Sequence, residues 1–549
     1  MSRDGIWLTL TYAVRVQILF RPLVSSGSPT RQRGRNSKPM STETSGTTDA
    51  EDSTDKQAAI ETELEDILDA IEGEDPVAVF EDPYLTRAAM MKNGGESDYQ
   101  RVLTAVKDSN MNSNEYRSVV SERAEEIRSD PLEGEEPERK EVQQPEREVT
   151  INEVRREVLE NFDRRTWDLT EAIASTVATL LLDSAEGCAG MVAEGPSSAG
   201  KTTVVDFFDG IEGMIYRSDQ LTPASFVSHS TDQSNTGEND LLPRVRHKAL
   251  TVKDMGPLFN GNRERVDEFM SVLATVMDGR GYTRDTGAQG SHGYEGDYRF
   301  ALVGATTPLP PRAWATMGHV GPRLLFHDMP DDDNPTEAMD DVWSEQGEYA
   351  DRKSECCETI GNFMRGLWTD HGGYGSVEWD TQPDDEVKRR LTAFANLIAK
   401  ARAPVYNDED QLPESSEPEN IRRVLDSLKQ LARGHALLHG RRKVEWADMD
   451  LCARVALSTI PRKRREHVAM LVDPQQDVRG IDTGDVMKYC EVSKPTALNR
   501  MRLMDALGLA DFSPSERNRP ARLDVKENYR NLFTDDVEYP DMFTDEEEP

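Results

Sequence analysis

Apolar residues along this chain recur with two periods, and the switches between them predict where helices and strands fall. From Ala58 to Ile71 they return at helical spacing (Ile60, Leu64, Ile67, Leu68, Ile71) until Asp75-Pro76 breaks the pattern. Tyr84 to Ile127 reads as a few short helices with polar joints, and residues 128–149, rich in Pro, Glu and Arg, read as a linker. A long helix over Trp167 to Leu182 leads into Gly190-Met191-Val192-Ala193, a short apolar run typical of a strand covered on both faces. Ala249 to Asp254 and Tyr298 to Ala305 repeat that signal, and Leu324-Leu325-Phe326 follows a turn as a fourth apolar run. Residues 331–378 read as an acidic, irregular connection. Amphipathic helices are predicted over Glu386 to Ala403 and Asn420 to Leu438, the second with an apolar stripe of Ile421, Leu425, Leu428, Leu431 and Ala432. Near the end, helices over Thr483 to Cys490 and Ala497 to Ala506 flank a turn at Ser493-Lys494-Pro495. Strands over Leu507 to Phe512 and Ala521 to Val525 then flank the loop Ser513 to Pro520. Strands separated by helices predict an α/β core with a parallel sheet, and the terminal order predicts a winged helix-turn-helix.

Composition changes the picture in three ways. The 549 residues hold 102 Asp+Glu against 65 Lys+Arg, a net charge of -37, and only 17 of the basic residues are lysine. Acid spread over nearly the whole chain suits a protein kept soluble in concentrated salt, where self-repulsion is screened, and points to a halophilic archaeal source; an ordinary acidic cytosolic protein is the alternative. The five cysteines include no C-x-x-C and no Cys/His pairing at zinc spacing, which points to a reduced cytoplasm with no structural metal. Residues 1–39 stand apart, with seven basic residues and a single acid, Asp4; the run Ile6 to Phe20 is interrupted by Arg15 and is too short and charged to span a membrane. The expectation is a start at Met40 with a mis-annotated leader before it, the alternative a basic nucleic-acid arm. The expected domains are 1–39, leader or disordered; 40–149, acidic short helices and linker; 150–330, the core; 331–460, connection and helical lid; 461–534, winged helix; and 535–549, an acidic tail.

The chemistry concentrates at Gly195-Pro196-Ser197-Ser198-Ala199-Gly200-Lys201-Thr202-Thr203, a G-x-x-x-x-G-K-[ST] loop set between a strand and a helix. Backbone N–H groups of such a loop and the helix N-terminus cradle phosphates, the lysine reaches the β- and γ-phosphates, and the Thr202 hydroxyl ligates Mg²⁺, so ATP and Mg²⁺ are the expected ligands. Asp254 ends an apolar strand, the placement of a carboxylate that holds the metal or its waters, on the strand expected beside the P-loop. No second acid follows it, so Asp254 is either the metal-side acid or the occupant of the catalytic-base position. Thr306, at the end of the third strand, is placed to orient the attacking water, and Arg323, in a turn before an apolar strand, to act on the nucleotide of a neighbouring subunit.

In this order, Val252-Lys253-Asp254 through Met277-Asp278-Gly279, Tyr294-Glu295-Gly296, Leu302-Val303-Gly304-Ala305-Thr306, Arg423-Val424-Leu425-Asp426, Gly434-His435-Ala436 and Val444-Glu445-Trp446-Ala447-Asp448 resemble the AAA+ ATPases, in particular the minichromosome-maintenance-type and phage or plasmid helicase-like branches. The resemblance covers residues 185–460. It implies a ring, expected to be hexameric, with Arg423 (or Arg422) as the sensor-2 arginine acting in cis, and a helicase or replication ATPase of a mobile element or provirus. Residues 40–149 are the expected place for a replication partner.

The terminal module is basic in an otherwise acidic chain: Arg462, Lys463, Arg464 and Arg465 precede it, and Lys494, Arg500, Arg502, Arg517 and Arg519 fall in its turn, second helix and wing. That pattern points to DNA, with a protein-docking module as the alternative. Two functions are therefore expected to compete, a DNA-dependent motor and a nucleotide-switched DNA-binding regulator or loader.

Overall fold

The computed structural model describes residues 64–532, apart from 65, 72, 74–75, 82, 95, 110, 130–140, 228–239, 287–289, 321–322, 331–345, 407–413, 416, 473–479, 517–518 and 531. Its centre is a parallel five-stranded sheet. The strands are β1 (Ala189–Glu194), β2 (Ile215–Ser218), β3 (Ala249–Val252), β6 (Ala301–Thr306) and β7 (Leu324–Asp328), in the order β2-β3-β6-β1-β7. Between β3 and β6 an antiparallel hairpin, β4 (Gly281–Thr286) and β5 (Gly290–Glu295), stands outside the sheet.

Alternation along the strands explains why the sheet is sandwiched. Met191 and Ala193 of β1, Ala301, Val303 and Ala305 of β6, and Leu325 of β7 enter one core. Val192, Leu302, Leu324 and Phe326 enter the other. The second core is closed by the helix Arg263–Val276, whose Val266, Phe269, Met270 and Leu273 are buried at helical spacing. The first core is larger and runs without a break from Ile151 to Leu532, so the helices before β1, the helical region after β7 and the terminal module share one apolar interior. A separate cluster joins Leu64, Ile67 and Ile71 to the helices Tyr84–Gly94, Glu96–Asp108 and Ser113–Ser129.

Local signals set many of the boundaries. Thr150 and Glu153 form a reciprocal capping box at the start of Ile151–Asn161, and Asp163 caps Arg164–Ala178 through the Thr166 amide. Asn420 caps Ile421–Leu438 through the Arg422 amide. Two expectations need correction. The stretch 331–378 is not irregular throughout, because Gln346–His371 is a 26-residue helix; its Cys356, Ile360, Phe363 and Met364 are buried at helical spacing against the larger core. Ser493-Lys494-Pro495 is not a free turn either: Ser493 is the N-cap and Lys494 the first residue of Lys494–Ala506, with Pro495 in the first helical turn, where its missing N–H costs nothing. The terminal helices Thr483–Tyr489 and Lys494–Ala506 pack with a three-stranded antiparallel sheet of Ile481–Asp482, Arg522–Val525 and Ala510–Ser513, with Arg522–Val525 in the middle.

The helices Arg164–Ala178 and Ile421–Leu438 make the closest crossing in the core. At Gly434 a Cβ would lie 2.0 Å from the Ser175 carbonyl oxygen, so no larger residue fits without separating the helices. Gly434→Ala is expected to lower unfolding free energy by about 1–3 kcal/mol in denaturant titrations. Gly366→Ala, where a Cβ meets only Pro145 Cγ at 3.7 Å in ordinary contact, is expected to raise it by about 0.5–1 kcal/mol.

Candidate nucleotide site and nucleic-acid interface

All five strands point their carboxyl ends to one edge of the sheet, and the P-loop leaves β1 there. Its backbone is shaped as a cradle: Ser198 and Gly200 take φ of 70° and 83°, and the helix Lys201–Asp206 begins immediately after. Gly195 is obligatory, because a Cβ there would sit 2.1 Å from the Met329 carbonyl oxygen, where the chain leaving β7 crosses the loop. Lys201 is buried and its Nζ donates to the Pro196 carbonyl, so the ammonium lies across the mouth of the loop; Thr202 is exposed beside it. Thr203 shares a 2.7 Å hydrogen bond with the Tyr349 hydroxyl. Glycines where side chains cannot fit, left-handed turns and a lysine held at the loop mouth fit a triphosphate, and the Thr202 hydroxyl fits its magnesium ion.

The strand carrying Asp254 is not beside the P-loop strand, as expected, but one strand further out, with β6 between them. The register places Thr306 level with Glu194 and Gly304 level with Val252, so Asp254 follows β3 at about the height of Thr306. At about 4.8 Å per strand, the backbone at Asp254 lies roughly 10 Å from the end of β1, where the P-loop begins. Asp254 is exposed, and its Oδ1 accepts the Gly256 amide at 2.8 Å. Thr306 is buried and its hydroxyl donates to the Thr307 carbonyl at 3.0 Å. A Cβ on Gly256 would lie 2.9 Å from Asp254 Oδ1 and 3.6 Å from Thr307 Oγ1, which puts the Thr307 hydroxyl beside Asp254. Lys253, the residue before Asp254, turns to the P-loop helix and pairs with Asp206, which also holds Lys353 at 2.6 Å.

Arg323 and Arg423 meet at the opposite edge. Arg323 Nε lies 3.4 Å and Arg423 Nη2 3.9 Å from Asp278 Oδ1. Asp278 follows Met277, whose carbonyl accepts the Cys188 amide just before β1 begins. A six-residue strand, about 17 Å long, therefore separates Arg423 from its own P-loop. The cis placement expected of Arg423 is corrected: the helix Ile421–Leu438 starts at the far edge of the sheet. Arg422 is exposed beside it.

A buried ion network backs the P-loop. Glu194, the last residue of β1, is fully buried. Its Oε1 accepts the Leu309 amide at 2.9 Å, and its Oε2 pairs with Arg465 Nη2. Arg465 Nη1 is 2.7 Å from Asp328 Oδ1 at the end of β7, and the same guanidinium donates to the Ile460 and Ser458 carbonyls. Arg464 donates to the Ala401 and Ala403 carbonyls at 2.7 Å, and burial pushes its pKa down to about 10. Two of the four basic residues ahead of the terminal module are thus internal, which corrects the reading of that cluster as a DNA-facing group.

In the terminal module Lys494 and Arg519 are exposed. Arg502 is half-buried and stacks on Phe512, 5.7 Å from the ring centroid. Arg500 is half-buried too, with Nη1 3.6 Å from Glu466 Oε2, so it turns toward the preceding helix and not outward as expected. Arg517 lies outside the described residues. Absent from the sequence reading was the β4–β5 hairpin, where Arg284 stands opposite His292 in register; the glycines at 281, 290, 293 and 296 were its signal.

No protein-family model matches this chain. No curated protein matches it. Among solved structures it is similar to a full-length MCM homolog from Methanopyrus kandleri, at 13% identity over 58% of this chain and 63% of that one, with a TM-score of 0.30. It is also similar to the NrS-1 C-terminal region (11% identity, 70% of this chain and 77% of that one, TM-score 0.26) and to the JCV helicase (12%, 56% and 86%, 0.18). This chain spans less than two thirds of the MCM homolog. Likenesses this remote carry no inference about activity, and the functional reading stands on the residues described above. Among the described residues no helix is long and apolar enough to cross a membrane.

Arg465→Met leaves Glu194 charged and buried without its partner, so it is expected to cost about 3–5 kcal/mol of stability; adding Glu194→Gln should recover part of the loss in the same denaturant titration. Histidine burial adds a pH dependence. His327 and His467 are pushed down to about 4 and about 3, chiefly by desolvation. The unfolded chain therefore binds the protons that the fold excludes, and stability is full above pH 6.5 and falls as pH drops toward 4. Between pH 6.5 and 5 the loss is about 2 kcal/mol per histidine, and His327→Leu should reduce the measured slope by about that share.

Proposed function

We propose that this protein is an ATP-binding and ATP-hydrolysing AAA+-like ATPase that acts on DNA as a ring-forming helicase or replication ATPase of a mobile element. The observation that carries the reading is the P-loop: a complete Gly195–Thr202 motif in a left-handed cradle, with Lys201 at its mouth and Asp254 and Thr306 on neighbouring strand ends. Magnesium ATP, when bound, supplies the phosphoryl group whose hydrolysis drives the work. Lys201 and Thr203 position the phosphates with the loop amides, and Thr202 holds the metal ion. Asp254 is the carboxylate for metal or water, and Thr306, with Thr307 beside it, lines the gap between them.

Arg323 and Arg423 serve a neighbouring subunit in this reading, since both sit at the edge away from their own P-loop. A site divided between subunits suits head-to-tail association, which closes into a ring in this reading, and a hexamer is the expected size. The terminal helices and sheet form a winged helix that engages DNA through Lys494, Arg502, Arg517 and Arg519, and the hairpin offers a second contact. Residues 40–149 are the expected surface for a replication partner.

One observation favours a second reading, a nucleotide-switched DNA-binding regulator or loader. The residue before Asp254 is a lysine engaged with Asp206, so the strand end offers a single acid. That arrangement suits slow hydrolysis.

ATP turnover measured in high KCl separates these readings. The motor requires strong stimulation by single- or double-stranded DNA and a fall of at least 100-fold in Lys201→Ala, consistent with the loss of a phosphate-binding lysine. A slow, DNA-indifferent rate that still needs Lys201 supports the switch, and turnover indifferent to Lys201 overturns both. Mixing inactive Lys201→Ala with inactive Arg323→Ala should restore a fraction of the activity if the sites are shared between subunits.

A further inference from the structure

A second group of chemistry-bearing residues lies away from the P-loop, where the helices Arg164–Ala178 and Ile421–Leu438 meet Met449–Ser458. Glu171 and His435 are buried there, and His439, one turn beyond His435, is exposed at the end of its helix. One donor atom from each lies within 4.8 Å of the other two.

We propose that Glu171, His435 and His439 form a site for a transition-metal dication of the Zn²⁺ class.

Geometry supports this first. His435 Nε2 stands 3.5 Å from Glu171 Oε1. Ligand atoms about 2.0–2.2 Å from a tetrahedral zinc ion lie roughly 3.3–3.6 Å apart, so these two atoms already span one edge of the tetrahedron. Two histidines four residues apart on one helical face are a recurring zinc pair, here with the carboxylate brought in by the facing helix.

The surroundings point the same way. His435 Nδ1 is 2.6 Å from Asp448 Oδ1; with the ring proton on that side, Nε2 is the nitrogen available to a metal ion shared with Glu171. Asp448 is itself fixed by Arg441 at 2.8 and 2.6 Å and by the Glu445 amide at 2.7 Å. Glu171 Oε2 pairs with Arg454 at 2.7 Å, and Arg454 is also held by Asp168 at 2.8 Å and Asp450 at 3.3 Å, while Oε1 faces His435. With that guanidinium balanced by neighbouring carboxylates, Oε1 keeps the charge a dication needs. The three residues line a cavity of about 340 Å³ together with Arg155, Arg164, Arg441 and Arg454, which opens the site to solvent. Two imidazoles and one carboxylate select Zn²⁺, Co²⁺ or Ni²⁺ over Mg²⁺, which keeps this site apart from the nucleotide's metal. Such an ion would clasp the helix leading toward β1 to the helix that carries Arg423.

The rival arrangement is a protonated His435 bridging Glu171 and Asp448 with no metal. Cobalt titration of the metal-stripped full chain, in KCl without nucleotide, decides between them. One equivalent of Co²⁺ should produce visible d–d bands that Zn²⁺ abolishes and excess Mg²⁺ does not. His439→Ala, an exposed position, should weaken cobalt binding by roughly 10–100-fold while thermal unfolding in EDTA stays unchanged, and Lys201→Ala should bind cobalt as the parent does. The absence of a Zn²⁺-displaceable spectrum, or a spectrum unchanged in His439→Ala, overturns the proposal and leaves His435 as the charged bridge.

Discussion

The position of the P-loop depends on one guanidinium. Arg465 reaches from the helix Arg462–Val472 to the carboxyl ends of β1 and β7, where it meets Glu194 and Asp328, and it also holds the Ser458 and Ile460 carbonyls at the end of the preceding helix. A carboxylate with no solvent contact, one residue before Gly195, is tolerable only with a charge partner and satisfied oxygens. The partner comes from the far side of the helical region, so the edge of the sheet that carries the P-loop, the helices after β7 and the approach to the terminal module are joined at one point.

Arginine is used the same way elsewhere in the molecule. Arg454 gathers Asp168, Glu171 and Asp450, and Arg402 is buried 3.2 Å from Glu419. The planar fork binds several acceptors at once, which a lysine cannot do, and this accounts for part of the strong preference for Arg over Lys. Exposed charges in molar salt act over only about 3 Å, whereas buried pairs are screened far less. This acidic chain thus places several of its arginines inside, and Lys494 and Arg519 are among the basic residues left exposed.

The far placement of Arg423 follows from where one helix begins. Ile421–Leu438 is locked against Arg164–Ala178 by the close approach at Gly434, and this fixes its N-terminus at the edge of the sheet where β1 starts. Arg423 then shares Asp278 with Arg323, so two arginines from separate segments meet at one carboxylate. The same crossing that sends Arg423 away from its own P-loop brings His435 and His439 over Glu171, so one packing contact sets both the position of Arg423 and the candidate metal site.

Local signals in the sequence determined a great deal. The strand, glycine turn and helix around Lys201, the caps at Thr150, Asp163 and Asn420, and the alternation that buries β1 and β6 on both faces are all written in neighbouring residues, because φ/ψ preference, capping and periodicity act over a few positions. Tertiary structure alone decided what each face meets. An apolar stripe states that a helix is buried, not against which partner, so β6 between β1 and β3, the inward turn of Arg464, Arg465 and Arg500, and the far placement of Arg423 were beyond any local pattern. The helix Gln346–His371 carried a readable stripe hidden among acids. His435 and His439 were visible as a pair, but their carboxylate lies in a helix before β1 and joins them only when the two helices cross, because coordination is a property of distance in space and not of spacing along the chain.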